Sequence, residues 1–173
     1  RLGHGRRGAN LPLLTTQEYS MADQGWKIAI VGGGVGGLTL GLALREQGIE
    51  CDIYEQTSEL REVGAAVALS ANATRFFERL GLADKFAGVA YDIDTLIYRD
   101  GRSGKVIGRH SGKPSYREQF GAPYWGIHRA DLQKILSNTL GMQRIHLDKR
   151  LVDLTHSADE VTLRFTDGSS AKA

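Results

Sequence analysis

Three glycines, Gly32, Gly34 and Gly37, stand in the pattern G-x-G-x-x-G, and an acid, Glu55, follows about 20 residues beyond the last of them. Residues of these types at this spacing read as a dinucleotide site, the other reading being glycines in an ordinary α/β turn. Gly32 allows a tight turn, Gly34 lets the backbone approach a pyrophosphate, and Gly37 lets a helix pack against a strand, so that free N–H groups at the helix N-terminus meet the phosphate charge. Glu55 then accepts hydrogen bonds from the 2′- and 3′-hydroxyls of a ribose. A 2′-phosphate would be repelled there, and the neighbouring Gln56 brings no positive charge, so the pattern suits FAD or NAD better than NADP.

The elements that must hold these residues are readable on either side. Lys27 to Val31 is a short apolar run rich in β-branched residues and stopped by glycines, as in a strand buried on both faces. Leu38, Leu42 and Ala43 then share one face of a helix that Gly48 ends. Cys51 to Tyr54 is a second strand, which closes a βαβ unit on Glu55.

Composition narrows the setting. The chain has 173 residues, enough for one domain with its own core, and 22 Lys and Arg against 20 Asp and Glu give a net charge of +2. That balance calls for neither a nucleic acid nor a membrane partner. One cysteine, Cys51, makes no intramolecular disulfide and reads as a small buried hydrophobe; with no long apolar run, a cytoplasmic protein is expected. No metal-ligand spacing is present. Residues 1–20 are basic and aperiodic, and they read as a disordered or non-native extension before Met21 or, alternatively, as a basic arm. The chain stops at Ala173, just after a strand-like run, and so reads as an N-terminal fragment with an unfinished sheet.

Between these ends, Gln56 to Glu62 reads as a polar loop. Gly64 to Ala73 is a loop crowded with small residues, suited equally to backbone beside a flat ligand and to a tightly packed turn. Ser70 or Asn72 is placed to cap a helix whose Phe76, Phe77 and Leu80 face the core before Gly81. Thr95 to Arg99 and Lys105 to Arg109 read as a hairpin. His110 to Ala122 reads as a loop or lid, in which Tyr116 and Arg117 face either a substrate or solvent. Tyr124 to His128 is a strand running into the helix Arg129 to Leu140, with Leu132, Ile135, Leu136 and Leu140 inward. Ile145 to Leu147, Leu151 to Thr155 and Val161 to Phe165 suggest a β-meander, with Asp167-Gly168 as a turn.

With these pieces placed, the chain resembles the N-terminal part of the single-component FAD-dependent aromatic hydroxylases, the group that includes salicylate hydroxylase and 6-hydroxynicotinate 3-monooxygenase. The matching blocks are IAIVGGGVGGLTLGLALREQG, YEQ at Tyr54 to Gln56, REVGAAVALSANATRFFERLGL from Arg61, and HRADLQKIL from His128. The resemblance implies a Rossmann-like α/β FAD-binding domain over residues 21–173, a βαβ unit with an added β-meander, incomplete as given. Residues 93–125 would begin the substrate-binding sheet and loop. It further implies that Gly32, Gly33, Gly34, Val35, Gly36 and Gly37 hold the FAD pyrophosphate, with Glu55 on the adenosine ribose and Gln56 making a neighbouring backbone contact. By the same resemblance Arg129 reaches the pyrophosphate or ribityl region, the backbone of Leu151 meets the adenine, and Val67 lies with Ala68 beside the flavin ring. Spacing alone would make Arg129 a helix-start salt bridge.

The implied reaction uses NADH or NADPH and O2 to place one oxygen atom on an electron-rich ring such as a phenolate. One departure bears on the substrate: the 6-hydroxynicotinate branch has a histidine at the position of Ala68, and alanine does no proton chemistry. His128, Tyr98 and Tyr116 are present without a pattern that assigns them a role, so the catalytic residue is unknown. Other readings are an inactive cofactor-binding fragment, another FAD-fold enzyme such as an epoxidase, halogenase or reductase, and an NAD-binding regulatory module.

Overall fold

The computed structural model describes residues 25–60 and 65–173. The extension read at residues 1–20, and Met21, lie outside the described residues. The elements begin with β1 (Ile28–Val31), α1 (Val35–Glu46), β2 (Cys51–Tyr54), β3 (Ala66–Leu69), α2 (Ala71–Arg79) and α3 (Ala83–Phe86). They continue with β4 (Tyr91–Asp92), β5 (Thr95–Arg99), β6 (Val106–Ser111), α4 (Ser115–Phe120), β7 (Trp125–His128) and α5 (Arg129–Leu140). Four short strands end the chain: β8 (Ile145–His146), β9 (Leu151–His156), β10 (Val161–Phe165) and β11 (Ser170–Lys172).

Alternation along β2 decides what lies on each side of the first sheet. Cys51 and Ile53 point to one face and Tyr54 to the other, because successive strand residues face opposite ways. On the first face, Leu38 and Leu42 of α1 and Leu132, Leu136 and Leu140 of α5 close over Ile30 and Ile53. Each such buried leucine contributes about 2 kcal/mol, so this layer sets where α1 and α5 sit. On the other face, Tyr54 stacks on Phe165 at 5.0 Å between ring centres, which seats the antiparallel strands β9, β10 and β11. The strand order is β1-β2-β8, all parallel, with Ile30 opposite Ile53 and Ile53 opposite Ile145.

Several expectations are corrected here. The run Ile145 to Leu147 does not open the meander: β8 pairs with β2, and the meander is β9, β10 and β11. The small residues from Ala66 to Leu69 form a strand rather than a loop, pairing antiparallel with β7. Ser70 occupies the N-cap of α2 but makes no side-chain cap; the Ala71 N–H donates instead to the Tyr116 hydroxyl, at 3.1 Å. Within the expected loop, Ser115 to Phe120 is helical, and Gly121, at φ +71°, ends that helix. The hairpin forms as expected, with its second strand running from Val106 to Ser111.

Candidate functional site

The turn from β1 into α1 is shaped by two steric facts. Gly32 holds φ +110°, a region that L side chains rarely adopt, and its N–H donates to the Tyr54 carbonyl at 2.9 Å. A Cβ on Gly37 would lie 2.0 Å from the Gly32 carbonyl oxygen. The turn therefore closes only with glycine at both places. Gly34 is the N-cap of α1 and offers no side-chain cap, and no acidic residue lies in the first turn. Among the described residues, the N–H groups of Gly34, Val35, Gly36 and Gly37 make no hydrogen bond. Four free donors at the positive end of a 12-residue helix make an anion cradle. Gly36 is exposed, with open space where a Cβ would be.

Glu55 closes the cradle from the end of β2. Its Oε2 accepts from the Gly33 N–H at 2.6 Å, and its Oε1 accepts from the Thr57 N–H at 2.9 Å and the Thr57 hydroxyl at 3.0 Å. Burial pushes the Glu55 carboxyl up, but these bonds, with one from the Gln56 N–H, outweigh it and leave the group below its ordinary value. Glu55 is thus held as a carboxylate. The Thr57 hydroxyl has one proton and a second acceptor, the Glu59 carbonyl at 2.8 Å. When it donates there, an oxygen of Glu55 is open to a ribose hydroxyl.

Backbone on both sides fixes this acid. The Glu55 N–H donates to the His146 carbonyl, and the Glu55 carbonyl accepts from the Lys149 N–H, both at 2.8 Å. Lys149 is itself anchored, its ammonium reaching Asp167 and the Ser169 hydroxyl. That ammonium, helped by the Ser169 hydroxyl and N–H, holds the Asp167 carboxyl well below the usual carboxylate range.

The remaining residues expected at the site lie on several other elements. Gln56 is exposed beside Glu55. Leu151 opens β9 two residues beyond Lys149, partly buried against Tyr54, Leu163 and Phe165. Arg129 is the first residue of α5, with its N–H toward the Ala65 carbonyl at 3.4 Å. Val67 pairs with Ile127 and packs against the main core. The Tyr116 hydroxyl accepts from the Ala71 N–H, and the ring stacks on Tyr124 at 5.0 Å. Arg117 pairs with Glu78 at 3.0 Å. A cleft of about 670 Å³ lies beside Pro114, Tyr116, Pro123 and Tyr124, and another of about 490 Å³ beside Tyr98, Arg109 and His110. Neither includes a residue of the glycine turn.

Sequence reasoning missed Gln133. It is 4% exposed on the inward side of α5, and its Nε2 donates to the Gly33 carbonyl at 3.0 Å. The signal was a polar residue beside Leu132 and Leu136 on an apolar face, where a buried amide must have a partner.

The arrangement fits a dinucleotide: an uncapped helix end for the pyrophosphate, a turn whose Gly32 conformation and Gly37 contact require glycine, and an ionised acid bonded to the Gly33 N–H. Comparison with known proteins agrees. A family model described as FAD binding domain matches residues 26–173. The chain is 37% identical over 153 residues to 3-amino-4-hydroxybenzoate 2-monooxygenase from Streptomyces cremeus, covering 88% of this chain and 39% of that protein. It is 35% identical over 145 residues to the FAD-dependent urate hydroxylase of Klebsiella pneumoniae, covering 84% of this chain and 38% of that protein. The crystal structure of Klebsiella pneumoniae HpxO complexed with FAD and uric acid is matched with a TM-score of 0.73 at 34% identity, over 84% of this chain and 36% of that one. The chain therefore spans under two fifths of the length of these relatives. With the motif, the cradle and the family model in agreement over residues 26–173, the chain belongs to the FAD binding domain family.

Proposed function

We propose that this chain supplies the FAD-binding part of a monooxygenase that hydroxylates a small aromatic, phenolic ring, using NADH or NADPH and O2. The observation that carries this reading is the cradle itself, four unbonded N–H groups at the start of α1 facing the same turn that Glu55 closes. The named relatives supply the reaction class: one is a hydroxybenzoate monooxygenase and one a urate hydroxylase. Bound FAD supplies the redox chemistry. The chain's own part is placement and the exclusion of water.

Gly32 to Gly37 would hold the pyrophosphate, Glu55 the adenosine ribose and Gln56 a neighbouring backbone contact, with the Leu151 backbone at the adenine. Support for Leu151 comes from the segment just before it, where the Asp148 N–H donates to the Thr57 carbonyl at 3.0 Å, beside the ribose acid. Arg129 would reach the pyrophosphate or ribityl region; it lies one helical turn before Gln133, which touches the glycine turn. Val67 would lie beside the flavin ring. Residues 93–125 would contribute to the substrate-binding sheet and loop; in support, β5 and β6 lie within this stretch and pair as a two-stranded sheet. No described helix is long and apolar enough to cross a membrane, and we place the protein in the cytoplasm.

An absorption spectrum of the purified protein, before and after adding FAD and gel filtration, tests the cofactor. A retained, perturbed flavin band is expected; retention of NAD without flavin would overturn the reading. The reaction is tested by NADH or NADPH oxidation with a panel of hydroxylated benzoates, where hydroxylated product is expected from a full-length protein carrying this part and none from these 173 residues alone.

A further inference from the structure

We propose that Gln133 is a positioning residue that aims the phosphate-facing N–H of Gly34. The inference rests on the FAD reading above. The Gly33–Gly34 peptide is trans, so the Gly33 carbonyl and the Gly34 N–H point in opposite directions across one rigid plane. Gln133 holds that carbonyl at 3.0 Å from the α5 side, which turns the Gly34 N–H away from α5. The preceding peptide is fixed in the same way. Glu55 holds the Gly33 N–H at 2.6 Å, while the Gly32 carbonyl lies against Gly37. Two consecutive planes are thus set by partners 22 and 100 residues away in sequence. Gly33 has two freely rotating dihedrals and no side chain, so without these partners the turn has nothing else to choose one orientation. Gln133 itself is nine-tenths buried, so its bond to Gly33 is not exchanged for water.

The test compares FAD affinity and folding of the apoprotein for two variants. Gln133→Met keeps length and removes the donor. FAD Kd, read by quenching of flavin fluorescence well below the melting temperature, is expected to rise about tenfold. Gln133→Glu keeps shape as well. Its ionised form cannot donate, whereas its protonated form can, so FAD binding is expected to be weak at about pH 8 and to recover as pH falls, a profile absent from the parent protein. Should the methionine variant fail to fold, the glutamate variant carries the test alone. Folded variants that bind FAD with the parent Kd at every pH would overturn the proposal while leaving the FAD reading intact. A parent protein that binds no FAD would overturn both.

Discussion

Around the first turn of α1 the chain is held by main-chain groups, with the Gly33 peptide gripped by Glu55 and Gln133 and the Gly32 carbonyl set against Gly37. Around α4 it is held by rings, with Tyr116 stacked on Tyr124, tilted against Phe120 at 4.5 Å and edge-on to His110 at 5.9 Å. The first arrangement leaves donors unspent, the second satisfies what it buries. Orphan N–H groups are tolerated at a surface cradle because a ligand or water can take them, whereas a buried ring cluster gains by having none. The first region keeps donors open for a ligand, and in the second ring packing fixes the position of α4.

Two glycines, one in each region, break that comparison most sharply. Gly37→Ala would gain about 1 kcal/mol of helix propensity, but a Cβ 2.0 Å from a backbone oxygen forces the turn apart. Overpacking of that kind costs about 3 kcal/mol or more, so the clash wins. Calorimetry should show a lowered melting temperature, and FAD binding should be lost. At Gly112 a Cβ would lie 1.6 Å from the Ile93 carbonyl oxygen, so Gly112→Ala should destabilise comparably. Its folded fraction, measured in the cold, should bind FAD with unchanged Kd.

Glu55→Gln comes next. It removes the charge that accepts from Gly33 and Thr57, a loss of about 2 kcal/mol or roughly thirtyfold in FAD Kd by titration. The same variant changes the pH dependence of stability. Because the folded carboxyl lies below its ordinary 4.5, the unfolded chain takes up this proton first on acidification. The stabilisation is therefore present above pH 4.5 and is lost as pH falls through the lowered folded value. Urea unfolding of Glu55→Gln should lack this part of the acid sensitivity.

Tyr116→Phe tests the other region at smaller scale. It leaves the stacking and removes only the hydroxyl that accepts from Ala71, so about 1 kcal/mol of stability should be lost in denaturant titrations. FAD Kd should stay within about twofold. A larger change would place the ring cluster in the cofactor site.

What was legible follows the same division. The cradle was readable because its requirements are local and steric: a positive φ at Gly32, a missing Cβ at Gly37, an acid at the end of the next strand. Its third support was not, because nothing near Gly33 in sequence announces Gln133. Periodicity gave α5 and its inward leucines, but a strand as short as Ile145–His146 reads the same whether it pairs with β2 or with β9. The helix Ser115–Phe120 was hidden by its polar sequence, since what fixes it is the packing of Tyr116, an interaction with residues elsewhere in the chain.

Gly36→Ala is the smallest expected effect and asks where the cradle's glycine requirement ends. Gly36 is exposed in the first turn of α1, nothing lies within 4 Å of an added Cβ, and its φ is not in the left-handed region. Alanine keeps the N–H that would face a phosphate and stiffens the unfolded chain, so stability should rise by about 0.5 kcal/mol. If the site takes only the amide of Gly36, FAD Kd by fluorescence titration should stay within about twofold. A tenfold rise would mean that the open space itself is where the pyrophosphate sits, and that Gly36 is required for the absence of its side chain, as Gly37 is, but by the ligand rather than by the fold.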